Sequence, residues 1–275
     1  MKIVSDSSCD LYSLEKVKFE SVPLHIFVGD KEYIDKEGVD IADMQTRLKE
    51  KGVKSSTSCP NVYDYLEAFK GENEIFAITI SSNLSGSFQS LKLARDQYLA
   101  ENKDAKVKII DSLSAGPVLY MLVEKLQELI LAGLSFEEIS KKIDEYHKKT
   151  QLVFILSSVL NLANAGRVNK ILATILGVLN IKLVGQGSDE GRFQLHEKCR
   201  GEKKAIKKLI ENITGFGWKN GKVVIDHNDN ESGAIAIKEK LLEINPNANV
   251  QIRKMNALCA FYAEEHGLLI GIEKE

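Results

Sequence analysis

The sequence predicts an α/β protein of two domains, with a parallel sheet in residues 1–150 and a mixed sheet in residues 151–275. Apolar strand segments alternate with helical segments through the first half, and this spacing is typical of parallel βαβ units. In the second half, the run 192–199 alternates between apolar and polar residues beside a turn, which predicts a half-exposed strand. The chain has 275 residues, of which 44% are hydrophobic, so it can bury two cores of ordinary size.

Capping residues mark the starts of several helices in the first half. Asp40 and Asn61 each precede a segment of helical spacing, and their side chains can accept the free N–H groups of a first turn. Ser135 with Glu138 three residues later forms a capping-box pattern. The predicted helices are 41–51, 62–69, 86–101, 115–132 and 136–148, and the predicted strands are 3–6, 22–28, 75–80 and 107–110.

Shorter elements are predicted in the second half. Apolar runs indicate strands there, and segments of helical spacing separate them. The predicted strands are 152–156, 181–184, 192–199, 222–226, 250–254 and 268–273. The predicted helices are 169–179, 202–213, 231–244 and 256–265, with a turn or helix start at 160–164.

Charge, hydropathy and cysteine spacing exclude several classes of protein. The net charge of −2 argues against a nucleic-acid-binding protein with a basic surface. No apolar run approaches the roughly 18 to 20 residues that a membrane helix needs, and the first residues become polar too early for a signal peptide. The four cysteines are far apart, without a CxxC pair, and the five histidines show no metal-ligand spacing. We therefore expect neither a metal site nor disulfides, and a cytoplasmic location.

Hydroxyl and glycine residues cluster at three points, 55–60, 79–87 and 111–117, where predicted strands end or helices begin. In an open α/β sheet, ligands bind beyond the carboxyl ends of the strands. Hydroxyl groups and the free N–H groups of a helix N-terminus can hold a carboxylate or a phosphate. The clusters therefore predict a site for an anionic head group.

The clusters also have structural interpretations. Thr57 and Ser58 are equally well explained as a cap for the helix that follows them. Ser85, Gly86 and Ser87 favour a ligand site instead. Capping needs only one of these two hydroxyls, and glycine lets a ligand approach the backbone closely.

Other candidate residues carry weaker signals. Asp111 with Ser112 is typical of an ordinary turn at a strand end. Arg167 is the best single cationic partner for an anion, although a surface arginine is the commoner explanation. His147 lies in a Lys-rich helix and is expected to be solvated. No GxSxG, Walker or GxGxxG motif is present, so the sequence shows no catalytic apparatus.

A set of short motifs resembles the DegV family of bacterial fatty-acid-binding proteins. Each motif is weak alone, but together they are specific and cover nearly the whole chain. They are VSDSSCDL at 4–11, TSCP at 57–60, SNLSGSFQS at 82–90, VKIIDS at 107–112, AGRV at 165–168, LNIK at 179–182 and KCRG at 198–201. The family usually has glutamine where this chain has Cys59.

The resemblance implies a DegV-like fold and a carrier function. The implied fold has an N-terminal three-layer α/β/α domain with a parallel sheet and a C-terminal α/β domain with a mixed sheet. A long apolar tunnel between the domains would hold one long-chain fatty acid. Its carboxylate would be held by Thr57 and Ser85, which match the family's motif positions.

The resemblance also implies a partner. In the family, the carrier presents its fatty acid to the ATP-binding subunit of fatty acid kinase, and the acyl phosphate feeds phospholipid synthesis. The protein would then be no enzyme itself, and its only small-molecule component would be the bound fatty acid, with no cofactor.

The chain departs from the family near its C-terminus. The family usually carries His-Xaa-Gly-Pro-Gly there, with the histidine close to the carboxylate. An ungapped alignment on 271–273 puts Tyr262 at the histidine position, whereas a gap would bring His266 there. A tyrosine hydroxyl can replace one donor, but Glu264 and Glu265 nearby disfavour an anion.

Two classes of function therefore stay open. One is a fatty-acid carrier without catalysis of its own. The other is an enzyme that acts on a small phosphorylated metabolite, because the turn at 85–87 would also suit a phosphate. An apolar lining discriminates between them, since a carrier must bury an acyl chain.

Overall fold

The computed structural model of the chain describes residues 1–168 and 180–275. Its contacts divide the chain into two compact units. Unit 1 contains Met1–Ala115, Leu119–Lys148 and Asn256–Leu258, and unit 2 contains Gly116–Val118, Lys149–Met255 and Cys259–Glu275. The helix expected over 169–179 lies outside the described residues, and the functions expected for domains 1–150 and 151–275 stay predictions.

The strands and helices follow one another in the order expected for an α/β chain. The strands are β1 Lys2–Asp6, β2 Lys18–Val22, β3 His25–Val28, β4 Lys31–Ile34, β5 Ser55–Ser58, β6 Glu74–Thr79, β7 Lys106–Asp111, β8 Thr150–Leu156, β9 Ile181–Gly187, β10 Phe193–Arg200, β11 Val223–His227, β12 Val250–Lys254 and β13 Leu268–Glu273. The helices are α1 Ile41–Leu48, α2 Val62–Phe69, α3 Ser87–Glu101, α4 Pro117–Leu131, α5 Phe136–His147, α6 Leu160–Asn164, α7 Glu202–Gly215, α8 Glu231–Ile244 and α9 Ala257–Ala263.

The main sheet of unit 1 is parallel, with strand order β2–β1–β6–β7. Val4 and Ala77 face a core formed with Phe69 of α2 and other residues of α2 and α3. Phe76, on the opposite face, stacks on Phe136 of α5 with ring centroids 4.6 Å apart. Helices therefore cover both faces, as parallel sheets require, and the predicted three-layer α/β/α architecture is confirmed.

A second, three-stranded antiparallel sheet of unit 1, with strand order β4–β3–β5, was not predicted. The expectation of one strand over 22–28 is wrong, because Pro23 interrupts it. Proline has no N–H group for a strand ladder, and the N–H of Leu24 donates to Oγ of Ser7 at 3.0 Å instead of to a neighbouring strand. The chain thus leaves the parallel sheet after β2 and enters the small sheet at β3.

Unit 2 contains the predicted mixed sheet, with strand order β10–β9–β8–β13–β11–β12. The pair β11–β12 is parallel and the other pairs are antiparallel. Val223 and Ile225 of β11 face a core that includes Leu209 of α7 and Ile237 of α8. The side chains of β10 alternate between half-buried and exposed along most of the strand, as its period-two pattern predicted.

The predicted caps are confirmed by their hydrogen bonds. The Asp40 side chain caps α1, and Asn61 and Ser135 each begin a helix with a complete capping box.

The expectation of a solvated His147 is wrong. Its Nε2 lies 2.7 Å from the carbonyl oxygen of Ser112, because α5 packs its last turn against the end of β7. None of the helices described is both long and apolar enough to cross a membrane.

Candidate functional site

The two hydroxyl motifs singled out in the sequence lie side by side in unit 1. Thr57 belongs to β5, and Gly86 is the N-cap of α3. A Cβ atom built on Gly86 would lie 3.1 Å from Sγ of Cys59, so the segment after β5 contacts the turn before α3. The absence of a side chain at position 86 allows this close approach.

Ser85 and Ser87 form a tight turn at the start of α3. Their Oγ atoms are 3.2 Å apart, and Oγ of Ser85 also accepts the N–H of Ser87 at 3.2 Å. The amides of Leu84 and Ser85 both donate to the carbonyl of Ser81, at 2.9 and 3.1 Å. Ser87 is buried, Ser85 is half-buried and Gly86 is exposed. The turn thus holds the Ser85 hydroxyl in a fixed position close to solvent, where an anion can reach it.

Thr57 and Ser58 differ in exposure because successive side chains of a strand point to opposite faces. Thr57, which is paired with Ile26 of β3, is half-buried, whereas Ser58 is exposed. Asn61 supplies the side-chain cap of α2. The interpretation of Thr57 and Ser58 as the cap of that helix is therefore wrong, and their role as head-group ligands stays a prediction.

A buried aspartate that the sequence analysis did not single out lies at the end of β1. The carboxylate of Asp6 accepts the N–H of Ile80 at 3.0 Å and the N–H of Ser8 at 3.3 Å, and it also accepts the Ser8 hydroxyl. Burial raises the pKa of Asp6 to about 6, although the bonds from Ser8 and Ile80 and the Ser87 side chain oppose this shift. The signal in the sequence was an acidic residue at a strand end, followed directly by two serines.

Tyr65 of α2 is the second residue that the sequence analysis missed. Its side chain is fully buried, and its hydroxyl has no hydrogen-bond partner of good geometry among the described residues. Burial and then the charge of Asp6 raise the pKa of Tyr65 well above its usual value, and the Ser87 side chain opposes them. The group is thus a neutral hydroxyl beside Asp6 and Ser87. In the sequence, Tyr65 occupies an apolar position of the amphipathic helix α2, so nothing distinguished it from an ordinary core residue.

Arg167 lies in unit 2, directly after α6, and is exposed. Its Nη1 donates to the carbonyl of Ala165 at 2.9 Å, and its backbone N–H donates to the carbonyl of Leu162 at 2.8 Å. A guanidinium group carries five N–H donors in a planar arrangement that suits an anion. Its role as an anion partner stays a prediction.

Tyr262 and His266 both lie in unit 2, Tyr262 within α9 and His266 between α9 and β13. Tyr262 is half-buried, and its ring packs edge-to-face on Phe261 with centroids 4.8 Å apart. His266 is exposed and has a left-handed backbone with φ of 64°. Its Nδ1 lies 3.1 Å from the carbonyl oxygen of Asp229, and its backbone N–H donates to Asn228 at 3.0 Å. The His266 ring is therefore held by the turn after β11, whereas Tyr262 belongs to the helix.

Glu264 and Glu265, expected to disfavour an anion, have different surroundings. Oε1 of Glu264 accepts the N–H of Asn161 at 3.0 Å, so this carboxylate accepts a hydrogen bond from the first turn of α6. Burial raises the pKa of Glu264, with Ser158 and the amides of α6 opposing the shift. Glu265 is exposed, where solvent screens its charge.

Metal-ligating side chains do not converge in the part of the chain that the structure describes. There, no group of three or more His, Cys, Asp or Glu residues could hold a metal ion. All four cysteines are free thiols. The Thr57, Ser85 and Ser87 side chains at the hydroxyl motifs are neutral groups that can donate hydrogen bonds, which suits the binding of an anion.

Comparison with known proteins gives one family over the whole chain. A family model described as an uncharacterised protein of the DegV family matches residues 1–275. A DegV domain-containing protein of Streptococcus pyogenes serotype M18 is 42% identical over 276 residues, which cover 99% of each chain.

Solved structures are similar over the same length. The Streptococcus pneumoniae fatty acid kinase B3 protein, loaded with linoleic acid, has a TM-score of 0.97 and 41% identity. A DegV family protein of Eubacterium eligens, loaded with heptadecanoic acid, has a TM-score of 0.96 and 38% identity. Each comparison covers 100% of this chain and 99% of the other.

The contact between Gly86 and Cys59 predicts a specific defect and its rescue. Gly86→Ala should destabilise the protein by about 1 to 2 kcal/mol in urea unfolding, because the new methyl group overpacks against the sulfur. Cys59→Ala in the same chain should remove most of that cost, which a double-mutant cycle measures. Gly215→Ala is the control, since nothing lies within 4 Å of a Cβ atom there. A Gly86→Ala variant as stable as the wild type would contradict the contact.

Proposed function

Because the chain belongs to the DegV family, we propose that it binds one long-chain fatty acid, whose carboxylate is held by the hydroxyl-rich loops of unit 1. One observation carries the proposal. Two proteins that are 41% and 38% identical, and similar in fold over the full chain, hold linoleic and heptadecanoic acid in their solved structures. The contact between the loops of Thr57 and Ser85 supports the position of the head group.

The chemistry of the loops fits a carboxylate. Ser85 and Thr57 are neutral hydroxyl donors, and hydrogen bonds to a charged acceptor are about twice as strong as neutral ones. Ser87 contributes by holding Ser85, because its N–H donates to Oγ of Ser85 and its own Oγ lies 3.2 Å from that atom. Gly86 leaves the backbone open to a ligand, and Ser58 lies at the exposed end of β5. Arg167 supplies a cation for the same anion in this proposal.

The proposed protein is a carrier and not an enzyme. In this proposal, an ATP-binding kinase subunit phosphorylates the carboxylate in the cytoplasm, and the acyl phosphate serves phospholipid synthesis. The name of the Streptococcus pneumoniae protein, which refers to fatty acid kinase, supports a kinase partner. The uncharged hydroxyl groups of the site support binding, because each can donate a hydrogen bond to a carboxylate.

Lipid analysis of the purified protein tests the proposed function directly. Each buried methylene contributes about 0.8 kcal/mol, so a long-chain acid should stay bound through purification without detergent. Solvent extraction and gas chromatography of protein made in bacteria should return about one equivalent of fatty acid, and native mass spectrometry should show the matching mass. Protein that carries no lipid, does not take up oleate and binds a sugar phosphate tightly would instead establish the phosphorylated-metabolite alternative.

Removal of the two proposed donors should weaken binding without loss of the fold. Thr57→Val with Ser85→Ala should lower the affinity of delipidated protein for oleate at least tenfold, since each hydrogen bond to a charged group contributes about 1.5 to 3 kcal/mol. Ser56→Ala with Ser82→Ala is the matched control. Ser56 lies beside Thr57 on β5, Ser82 lies in the same loop as Ser85, and both serines are exposed. Equal affinities of the two double variants would place the carboxylate elsewhere.

The proposal assigns a further donor near the C-terminus to Tyr262 in preference to His266. Tyr262→Phe should then weaken oleate binding several-fold, by the loss of one hydrogen bond to a charged group, and His266→Ala should leave it unchanged. The structure favours this order, since the His266 ring is already held by the carbonyl of Asp229. Calorimetric titration of both variants measures the difference, and the reverse order of effects would give the role to His266.

A further inference from the structure

Asp6 is a buried carboxylate next to the loop that carries the proposed head-group donors. It ends β1, and it accepts the N–H of Ile80, the first residue after the neighbouring strand β6. The loop 80–86 thus begins at a hydrogen bond to Asp6. Because Asp6 is fully buried, this bond is shielded from water and is stronger than it would be at the surface.

A short chain of hydroxyl groups connects this carboxylate to the ligand-binding loop. The Ser87 side chain is close enough to Asp6 to lower the pKa of its carboxyl group, and both residues are buried. Oγ of Ser87 lies 3.2 Å from Oγ of Ser85, and either hydroxyl can be the donor in that contact. Both Asp6 and Ser87 are fully buried, so each proton in the chain has few alternative acceptors.

This inference rests on the proposed fatty-acid site. We propose that Asp6 is a positioning residue of that site: without touching the ligand, it sets the direction of the Ser85 hydroxyl through Ser87. The geometry points to a coupling between the protonation of Asp6 and the binding of an anionic head group.

The direction of the coupling follows from the single proton of each hydroxyl. An ionised Asp6 can only accept, so Ser87 donates to it and leaves its own oxygen to accept the proton of Ser85. The Ser85 proton is then engaged with Ser87 and cannot be donated to a ligand. A protonated Asp6 can donate to Ser87, which donates to Ser85, and the Ser85 proton becomes free for the ligand. The negative charge of an ionised Asp6 also opposes a second anion nearby.

Other titratable groups that face Asp6 do not change charge near neutral pH. Cys9, at the end of the short 3-10 helix Ser7–Cys9 that follows β1, has its pKa raised to about 12, first by burial. Tyr65 of α2 has its pKa raised well above its usual value, also first by burial. Both stay neutral between pH 5 and 8. Asp10 faces Cys9 and the N–H of Asn256. Asp35, which contacts the Ser7 side chain, has its pKa raised to about 6 by burial, so only the part of the pH dependence that Asp6→Asn removes reports on Asp6.

The experiment measures affinity against pH with a ligand that does not itself titrate. Delipidated protein is titrated with hexadecane-1-sulfonate from pH 5 to 8. A bound anion that raises the pKa of Asp6 by about one unit makes wild-type affinity fall roughly tenfold over this range. Asp6→Asn has no proton to lose and keeps one acceptor oxygen, for Ile80 or for Ser8, so its affinity should be the same from pH 5 to pH 8. Asp111→Asn is the control and should retain the wild-type slope, because Asp111 accepts the N–H of Ser82 in the same loop.

The outcomes separate the inference from the proposed function. A slope that persists in Asp6→Asn, or a flat wild-type profile together with weakened binding in Ser85→Ala, overturns the role of Asp6 alone. If Asp6→Asn does not fold, Ser87→Ala decides, since a full slope in that variant would mean that Asp6 acts only by its charge. If the sulfonate does not bind, palmitate replaces it, and its own titration cancels in the difference between wild type and Asp6→Asn. Failure of both ligands to bind the wild type overturns the proposed function itself.

Discussion

The parallel pairing of β1, β6 and β7 determines where the polar residues of unit 1 meet. Parallel strands end at the same edge of the sheet, so the residues that follow them become neighbours although they are far apart in sequence. Asp6 and Asp111, at the ends of the outer two of these strands, both bind the loop that leaves the middle one. Asp6 accepts the N–H of Ile80, and Asp111 accepts the N–H of Ser82. The loop with the proposed head-group donors is thus held by a carboxylate on each side.

The two carboxylates satisfy a requirement of the backbone. Where a chain leaves a sheet, its N–H groups lose their ladder partners, and a buried N–H without an acceptor is costly. Asp111 meets this need at a half-exposed position. Asp6 meets it in the core, where the same side chain must be kept out of water. The difference in burial gives the two aspartates different chemistry, although they have the same structural role.

Patterns of local sequence predicted most of the fold. Both ends of α2 were predicted correctly, because Asn61 is a strong cap and Lys70 ends the apolar stripe. The small sheet was missed, since β4 and β5 are short and polar, and strands of this kind depend on partners distant in sequence. The run 22–28 was apolar enough for one strand, but Pro23 allows two strands in different sheets.

The candidate site was predictable only in part for a related reason. Hydroxyl groups in Thr57 and Ser85 stood out because several occurred together, and a family resemblance gave them a role. Asp6 belongs to the motif VSDSSCDL at 4–11, but its burial and its bond to Ile80 depend on strand pairing across more than seventy residues. Single residues that act through tertiary neighbours carry no local pattern.

Burial of Asp6 has a cost that the folded protein carries at neutral pH. A carboxyl whose pKa is raised to about 6 in the folded state, against 3.8 normally, binds more protons when folded than when unfolded between these values. The free energy of unfolding that it contributes therefore decreases as pH rises through this window and stays low above about pH 6. Asp35, which accepts the N–H of Ala257 at 3.1 Å, has its pKa raised to about 6 by burial and adds a contribution of the same sign. A neutral asparagine has only one acceptor oxygen, whereas Asp6 uses Oδ1 for Ser8 and Oδ2 for Ile80. The need for two acceptor oxygens therefore accounts for a carboxyl group at position 6 despite its cost, and the proposed link through Ser87 to Ser85 gives the same group a second role.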